Sequence, residues 1–212
     1  TKKGKEVYVQ PIIENNGYYF SVKIGRPSNL NEAKLGTSAG KRAAFRCLLS
    51  GDPIGYQHIR EEARSGRMKA RLMAIVAEGK QGRVFLDPSS EHETIALQVQ
   101  PKWKPDIRLQ GKCRVSVPKY GMDTFADLFT NRQLLAITTF SDLISDVKKK
   151  IKQDILEVDN KPYLDTNQKI IEYIEAISVY LAFAIDRMTN TLCTLARWTP
   201  ERQQTVTLFS RQ

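Results

Sequence analysis

Two kinds of hydrophobic periodicity divide the chain. Residues 6–13 and 18–24 are rich in β-branched and aromatic side chains and flank Glu-Asn-Asn-Gly, whose Asn16 and Gly17 tolerate positive φ, so this segment predicts a β-hairpin. Residues 25–42 hold Gly25, Pro27, Gly36 and Gly40 with no strong period, and read as a loop that also carries Lys41 and Arg42. A short helical pattern follows around Ile59 and Ala63 within 53–66, where Glu61 and Glu62 sit beside Arg60 and Arg64 and can balance them on a surface. From residue 67 the period is two. Arg67, Lys69 and Arg71 alternate with Met68, Ala70 and Leu72, which puts the cations on one face of an extended segment. The apolar run 72–77, the turn Glu-Gly-Lys-Gln-Gly and the resumption at Arg83-Val-Phe-Leu predict two strands joined through a glycine-containing turn. Asp87-Pro-Ser-Ser ends the second strand, and Ser89 or Ser90 can cap a short helix through Gln98.

After a basic, irregular connector over 101–120, the period lengthens. Thr130 or Asn131 can cap a helix whose apolar positions Leu134, Ile137, Phe140, Ile144, Val147, Ile151 and Ile155 step by three or four. A second helix is expected from about Asp165 to Met188, with Ile170, Ile174, Ile177, Leu181, Ile185 and Met188 on one face. Asn160-Lys-Pro separates the two, which are expected to pack antiparallel as a scaffold, with Lys148, Lys149, Lys150 and Lys152 on the outer side. Cys193, Trp198 and Phe209 read as apolar contacts of the tail. The pattern therefore predicts an α+β chain: a basic, β-rich portion over 1–120 and a helical portion over 121–212.

Composition narrows the class. With 212 residues and 41% hydrophobic side chains the chain can fill one substantial core or two small ones. No apolar run approaches the ~20 residues of a membrane span and no signal peptide is recognisable, so no membrane association and a cytoplasmic location are expected. Cys47, Cys113 and Cys193 are odd in number and far apart, which argues against a disulfide framework. The net charge of +10 is unevenly placed: residues 1–120 hold 22 Lys and Arg against 11 Asp and Glu, residues 121–212 hold 11 against 12. Clustered cations gain affinity for a polyphosphate by releasing its counterions, so the basic portion points to nucleic acid; a basic face turned toward an acidic protein surface is the alternative.

Six ordered blocks carry a family resemblance: TKKGKEVYVQPII, PIGYQHIREEARSGRMKARLMAIVAEGKQGRVFL, QPKWKPD, YGMDTFADLFTNRQLLAITTFSDL, VYLAFAIDRM and FSRQ. Through them the chain resembles the middle region of large adenine-specific DNA methylases that contain a zinc ribbon and occur beside bacterial anti-phage genes. In that family a glycine-rich S-adenosylmethionine motif lies upstream of this region and an Asp-Pro-Pro-Tyr motif downstream. Here Asp52-Pro53 and Asp87-Pro88 are not followed by Pro and an aromatic, and no Gly-rich strand-to-helix turn is recognisable. The resemblance, with a start at Thr1 rather than Met, implies a non-catalytic insert lying where one class of amino-methyltransferases places its target-recognition region. Its expected partners are DNA, the remainder of the parent methylase and defence-system subunits; S-adenosylmethionine is implied for the parent and no cofactor for this chain.

The residues expected to contact DNA are Arg60, Arg64, Arg67, Lys69, Arg71, Lys80, Arg83, Lys102, Trp103 and Lys104. Trp103 between two lysines can stack on an unpaired base or close over a small core, and Tyr18 and Tyr19 carry the same ambiguity. Relatives carry Cys-x-x-Cys-Gly where this chain has Cys47-Leu-Leu-Ser-Gly. Serine is a poor zinc ligand and His58 and His92 lack metal spacing, so no metal is expected. Glu91-His92-Glu93 lacks a second histidine four residues on, and no catalytic group is assigned.

Overall fold

The computed structural model describes residues 6–39, 45–157 and 167–206. The chain is α+β and divides into two compact units, Thr1–Gln98 with Leu109–Asp123, and Val99–Arg108 with Thr124–Gln212. The basic connector is thus split between them. By this division the first unit carries 19 Lys and Arg against 11 Asp and Glu and the second 14 against 12, because Lys102, Lys104 and Arg108 belong with the helices.

In the first unit, β1 (Val7–Glu14) and β2 (Gly17–Ile24) pair antiparallel with Glu14 opposite Gly17. The turn is Asn15-Asn16, with φ of 47° and 60°, one residue earlier than the expected Asn16-Gly17. Two successive left-handed residues match the right-handed strand twist, and asparagine tolerates that conformation. The segment expected to be loop holds a short helix, α1 (Leu30–Leu35), in which Asn29 Oδ1 accepts from the Glu32 amide at 3.1 Å. Gly40, Lys41 and Arg42 lie outside the described residues. Two-residue strands β3 (Phe45–Arg46) and β4 (Pro53–Ile54) bracket the Cys47 turn, and α2 (Tyr56–Arg64) follows.

The alternating stretch 67–74 has no regular structure; β5 (Ile75–Gly79) begins three residues after Leu72 and pairs with β6 (Gly82–Leu86) across Lys80-Gln81. Ser89 then caps α3 (Ser90–Gln98), its Oγ accepting from the His92 amide at 3.4 Å. Asp87 ties the two hairpins together, because its Oδ1 accepts from the Val22 amide and from Ser21 Oγ. The last piece of this unit is a pair of 3-10 turns, Gly111–Arg114 and Val117–Tyr120. Among the described residues of the first unit only Ser21 and Leu109 are buried, so this unit is held by strand pairing and polar ties more than by an apolar core.

The second unit has the core. A 3-10 turn at Phe125–Leu128 opens with Thr124, whose amide and hydroxyl both donate to Asp127 Oδ2 at 2.8 Å. Thr130 and Gln133 then form a reciprocal capping box ahead of α4 (Asn131–Glu157), as the sequence predicts for Thr130. α4 packs on α5 (Asn167–Thr189), and Ala126, Leu128, Leu134, Ile170, Ile174 and Cys193 are buried. Thr138 and Ser178 are buried as well, each hydroxyl donating to the carbonyl four residues earlier in its own helix. Phe140, expected within the buried stripe of α4, is 47% exposed. Cys193 is the apolar contact expected, brought in where the Thr194 amide and hydroxyl donate to the Leu128 carbonyl. A small hairpin of β7 (Arg197–Thr199) and β8 (Gln204–Val206) leaves Trp198 partly exposed. Asn160-Lys-Pro, Asp165 and Phe209 lie outside the described residues. Among the described residues no helix is long and apolar enough to cross a membrane.

Candidate nucleic-acid interface

The expected cation face over 67–71 is not a row of free charges. Arg67 folds back on α2, its Nε and Nη2 donating to the two carboxylate oxygens of Glu62 at 2.8 and 2.7 Å. This fork-to-carboxylate geometry holds the Glu62 carboxyl below the usual carboxylate range and raises Arg67 further above its own. Arg71 Nε lies 2.9 Å from Glu93 Oε1, an oxygen that also accepts from the Leu72 amide at 3.2 Å, and its guanidinium sits 5.4 Å from the Tyr18 ring centroid. Tyr18 in turn meets the edge of Phe20, so it is a packing residue of the hairpin. Lys69 alone of the three is exposed with no ion-pair partner among the described residues.

Arg60 is also engaged. Its guanidinium lies 5.5 Å from the Tyr56 ring and 5.7 Å from the Tyr120 ring, and its Nε is buried with no hydrogen-bond partner. The two π faces supply the electrostatic compensation that hydrogen bonds do not, which makes Arg60 a brace between α2 and the 117–120 turn. Gly121 completes that brace. At φ 74° a side chain there would be strained, and a Cβ would come within 2.9 Å of the Ala63 carbonyl oxygen.

The consequence is a juxtaposition of two basic segments that sequence spacing does not reveal. Docking of the 117–120 turn on the end of α2 brings Lys119 beside the segment that carries Arg64, with Lys112 and Arg114 on the preceding 3-10 turn. All four are exposed and none has an ion-pair partner among the described residues. Arg64 is among the residues expected to contact DNA; for Lys112, Arg114 and Lys119 the only sequence signal is the basic character of the connector. Lys80, on the tip of the β5–β6 hairpin, is exposed, and Arg83 stands opposite Glu78 in the strand register. Lys102, Trp103 and Lys104 belong to the second unit, where Trp103 is 49% exposed rather than closed over a core.

The remaining chemistry is sparse. Cys47 sits in a tight turn in which its amide donates to the Asp52 carbonyl at 2.8 Å and its carbonyl accepts from the Gly51 amide at 2.9 Å. Hydrogen bonds from the Ser50 amide and hydroxyl and the Leu49 amide lower the thiol pKa. Ser50, three residues after Cys47, gives that turn a hydroxyl and not a second thiolate. Among the described residues no group of three or more His, Cys, Asp or Glu is placed to hold a metal. Within the Glu91-His92-Glu93 triplet, the Glu93 carboxylate is committed to Arg71 and to the Leu72 amide. Tyr19 donates to Glu14 Oε1 at 3.3 Å, and its phenol is raised by desolvation and then by that carboxylate. Comparison with protein-family models, with curated proteins and with solved structures finds no match to this chain.

Proposed function

We propose that this chain is a non-catalytic DNA-binding module that grips or positions duplex for an adenine-directed methyl transfer carried out elsewhere in a parent methylase. The supporting observation is that Arg64, Lys112, Arg114 and Lys119, exposed and without an ion-pair partner among the described residues, are carried by separated segments that pack together within one unit. Uncompensated cations on a common support neutralise phosphates without reading bases, and extruding an adenine costs a few kcal/mol that such a grip can offset. The methylase context, with its S-adenosylmethionine and its anti-phage role, rests on the resemblance of the six sequence blocks alone. In this reading Arg60 acts as a brace, and Arg67 and Arg71 are held in reserve by their carboxylates.

A second reading, a scaffold that docks the parent or a defence-system subunit without touching DNA, draws on that same neutralisation of Arg67 and Arg71. Fluorescence anisotropy with a short duplex at two salt concentrations separates the two. Arg64→Ala with Lys119→Ala should lower affinity and reduce the salt slope by about two, whereas Lys148→Ala with Lys149→Ala, the same formal change on α4, should leave both nearly unaltered. Equal losses from the two pairs, or no binding by the folded chain at low salt, would reject the DNA assignment.

A further inference from the structure

α5 is apolar on more faces than α4 covers. Residues 176–185, AISVYLAFAI, contain no charged side chain, and only one side of the helix, around Ile170 and Ile174, is buried. Turned away from that side is a second stripe, Tyr173, Ala176, Tyr180 and Phe183, stepping by three, four and three. Tyr173 is 49% exposed, Tyr180 75% and Phe183 65%, with Val179 beside them at 51%. A helix apolar on all sides is normally an interior element. At 150–250 Å² for each aromatic side chain, these three alone leave roughly 400 Å² exposed, a patch of the size that marks an interaction surface and about half of what one partner contributes to a standard interface.

We propose that α5 is the interface of a homodimer, meeting α5 of a second copy antiparallel across a two-fold axis near Tyr180. The stripe is self-complementary in that register. Phe183 of one copy falls at the level of residues 176 and 177 of the other, where the outward stripe presents Ala176, so a large side chain meets a small one. Arg187, seven residues after the axis, falls against Tyr173 and is one position from Glu172, eight residues before it. Opposite charges, and a guanidinium beside a tyrosine ring, therefore meet at both ends of the contact. A parallel pairing would instead set Glu172 on Glu172 and Arg187 on Arg187. The dimer stands independently of the DNA reading, and it would present two basic units per assembly, which raises avidity for a polyanion without any new contact.

The test is sedimentation equilibrium of the whole chain over a range of micromolar concentrations. The expected result is a monomer–dimer equilibrium that Tyr180→Glu abolishes, with helix content by circular dichroism unchanged because the residue is exposed. Glu172→Arg and Arg187→Glu should each weaken dimerisation about three- to tenfold, and the double reversal should restore it. A chain that stays monomeric throughout, with its helices formed, overturns the proposal and leaves the stripe to a different protein. A dimer indifferent to Tyr180→Glu and to the charge reversals places the interface elsewhere and overturns it equally.

Discussion

Replacing Glu62 by Gln tests whether the carboxylates of the first unit govern how many cations reach a polyanion. Glu62 receives both forks of the Arg67 guanidinium, at 2.8 and 2.7 Å, while the Arg67 side chain remains 61% exposed. Glutamine keeps the shape and one acceptor but removes the charge that holds the arginine. Arg67 then becomes available to a phosphate at the end of α2, close in sequence to Arg64 and Lys69. One added phosphate contact steepens the dependence of log K on log salt by about 0.9, so affinity should fall about 3.5-fold more between 50 and 200 mM salt than it does in the unaltered chain. At the low-salt end binding should strengthen by a similar factor. The measurement is anisotropy of a labelled duplex across a salt series. Glu61→Gln is the control, since it removes the same charge from the same helix but the Glu61 carboxylate accepts from Gln57 Nε2 at 3.0 Å and has no ion pair among the described residues.

Equal gains from the two variants would mean that net charge alone is acting, and a gain that persists when Arg67 is also changed to Ala would refute the release argument. The pH dependence has a definite sign. Because Arg67 lowers the Glu62 carboxyl in the folded chain, the pair contributes fully above the ordinary carboxylate range and is lost as pH falls through the lowered value. Neutral-pH binding should therefore be insensitive to small pH changes at this pair.

Gly121→Ala should destabilise the first unit by about 2 kcal/mol, through a left-handed φ and a Cβ 2.9 Å from the Ala63 carbonyl oxygen, and should lower DNA affinity by displacing the 117–120 turn; an unchanged melting profile would remove Gly121 from the brace. Asp87→Ala should cost about 1–2 kcal/mol, read by thermal denaturation, because the Val22 amide and the buried Ser21 hydroxyl lose a charged acceptor; a neutral result would mean that the two hairpins are joined by other contacts.

Elements with a sustained period were legible in the sequence and those closed by local polar bonds were not. The helices α4 and α5 run for about six turns or more, so they and the Thr130 cap were within reach of spacing alone. α1 spans only six residues and rests on one side-chain bond, from the Glu32 amide to Asn29, which periodicity cannot register. The positive φ at Asn15 and Asn16 was displaced by one residue because Asn-Asn-Gly contains two acceptable left-handed pairs, and the pairing of Glu14 with Gly17 decides between them. For α5, one period of 3.6 describes two stripes at once. Spacing picks out the inward set, and the outward set, Tyr173, Tyr180 and Phe183, shares the same period, so spacing alone does not say that it is exposed.

Charge was the least legible property, because its consequence depends on pairing rather than on counting. The alternation of Arg67, Lys69 and Arg71 argued for a shared face, yet both arginines find carboxylates, one five residues back and one twenty-two residues ahead. Extended backbone without a strand partner leaves each side chain to seek its own contacts, so the period of two does not enforce a common direction. The converse holds for Lys119 and Arg64, far apart in the chain but carried by segments whose backbones meet where Gly121 packs on Ala63. A cation held by a fixed carboxylate neutralises no phosphate and so releases none of the polyanion's condensed counterions; it counts among the chain's cations without adding to the salt slope. The number of phosphate contacts read from that slope should therefore follow the cations of the first unit without an ion pair among the described residues, Arg64, Lys69, Lys80, Lys112, Arg114 and Lys119 among them, rather than the total.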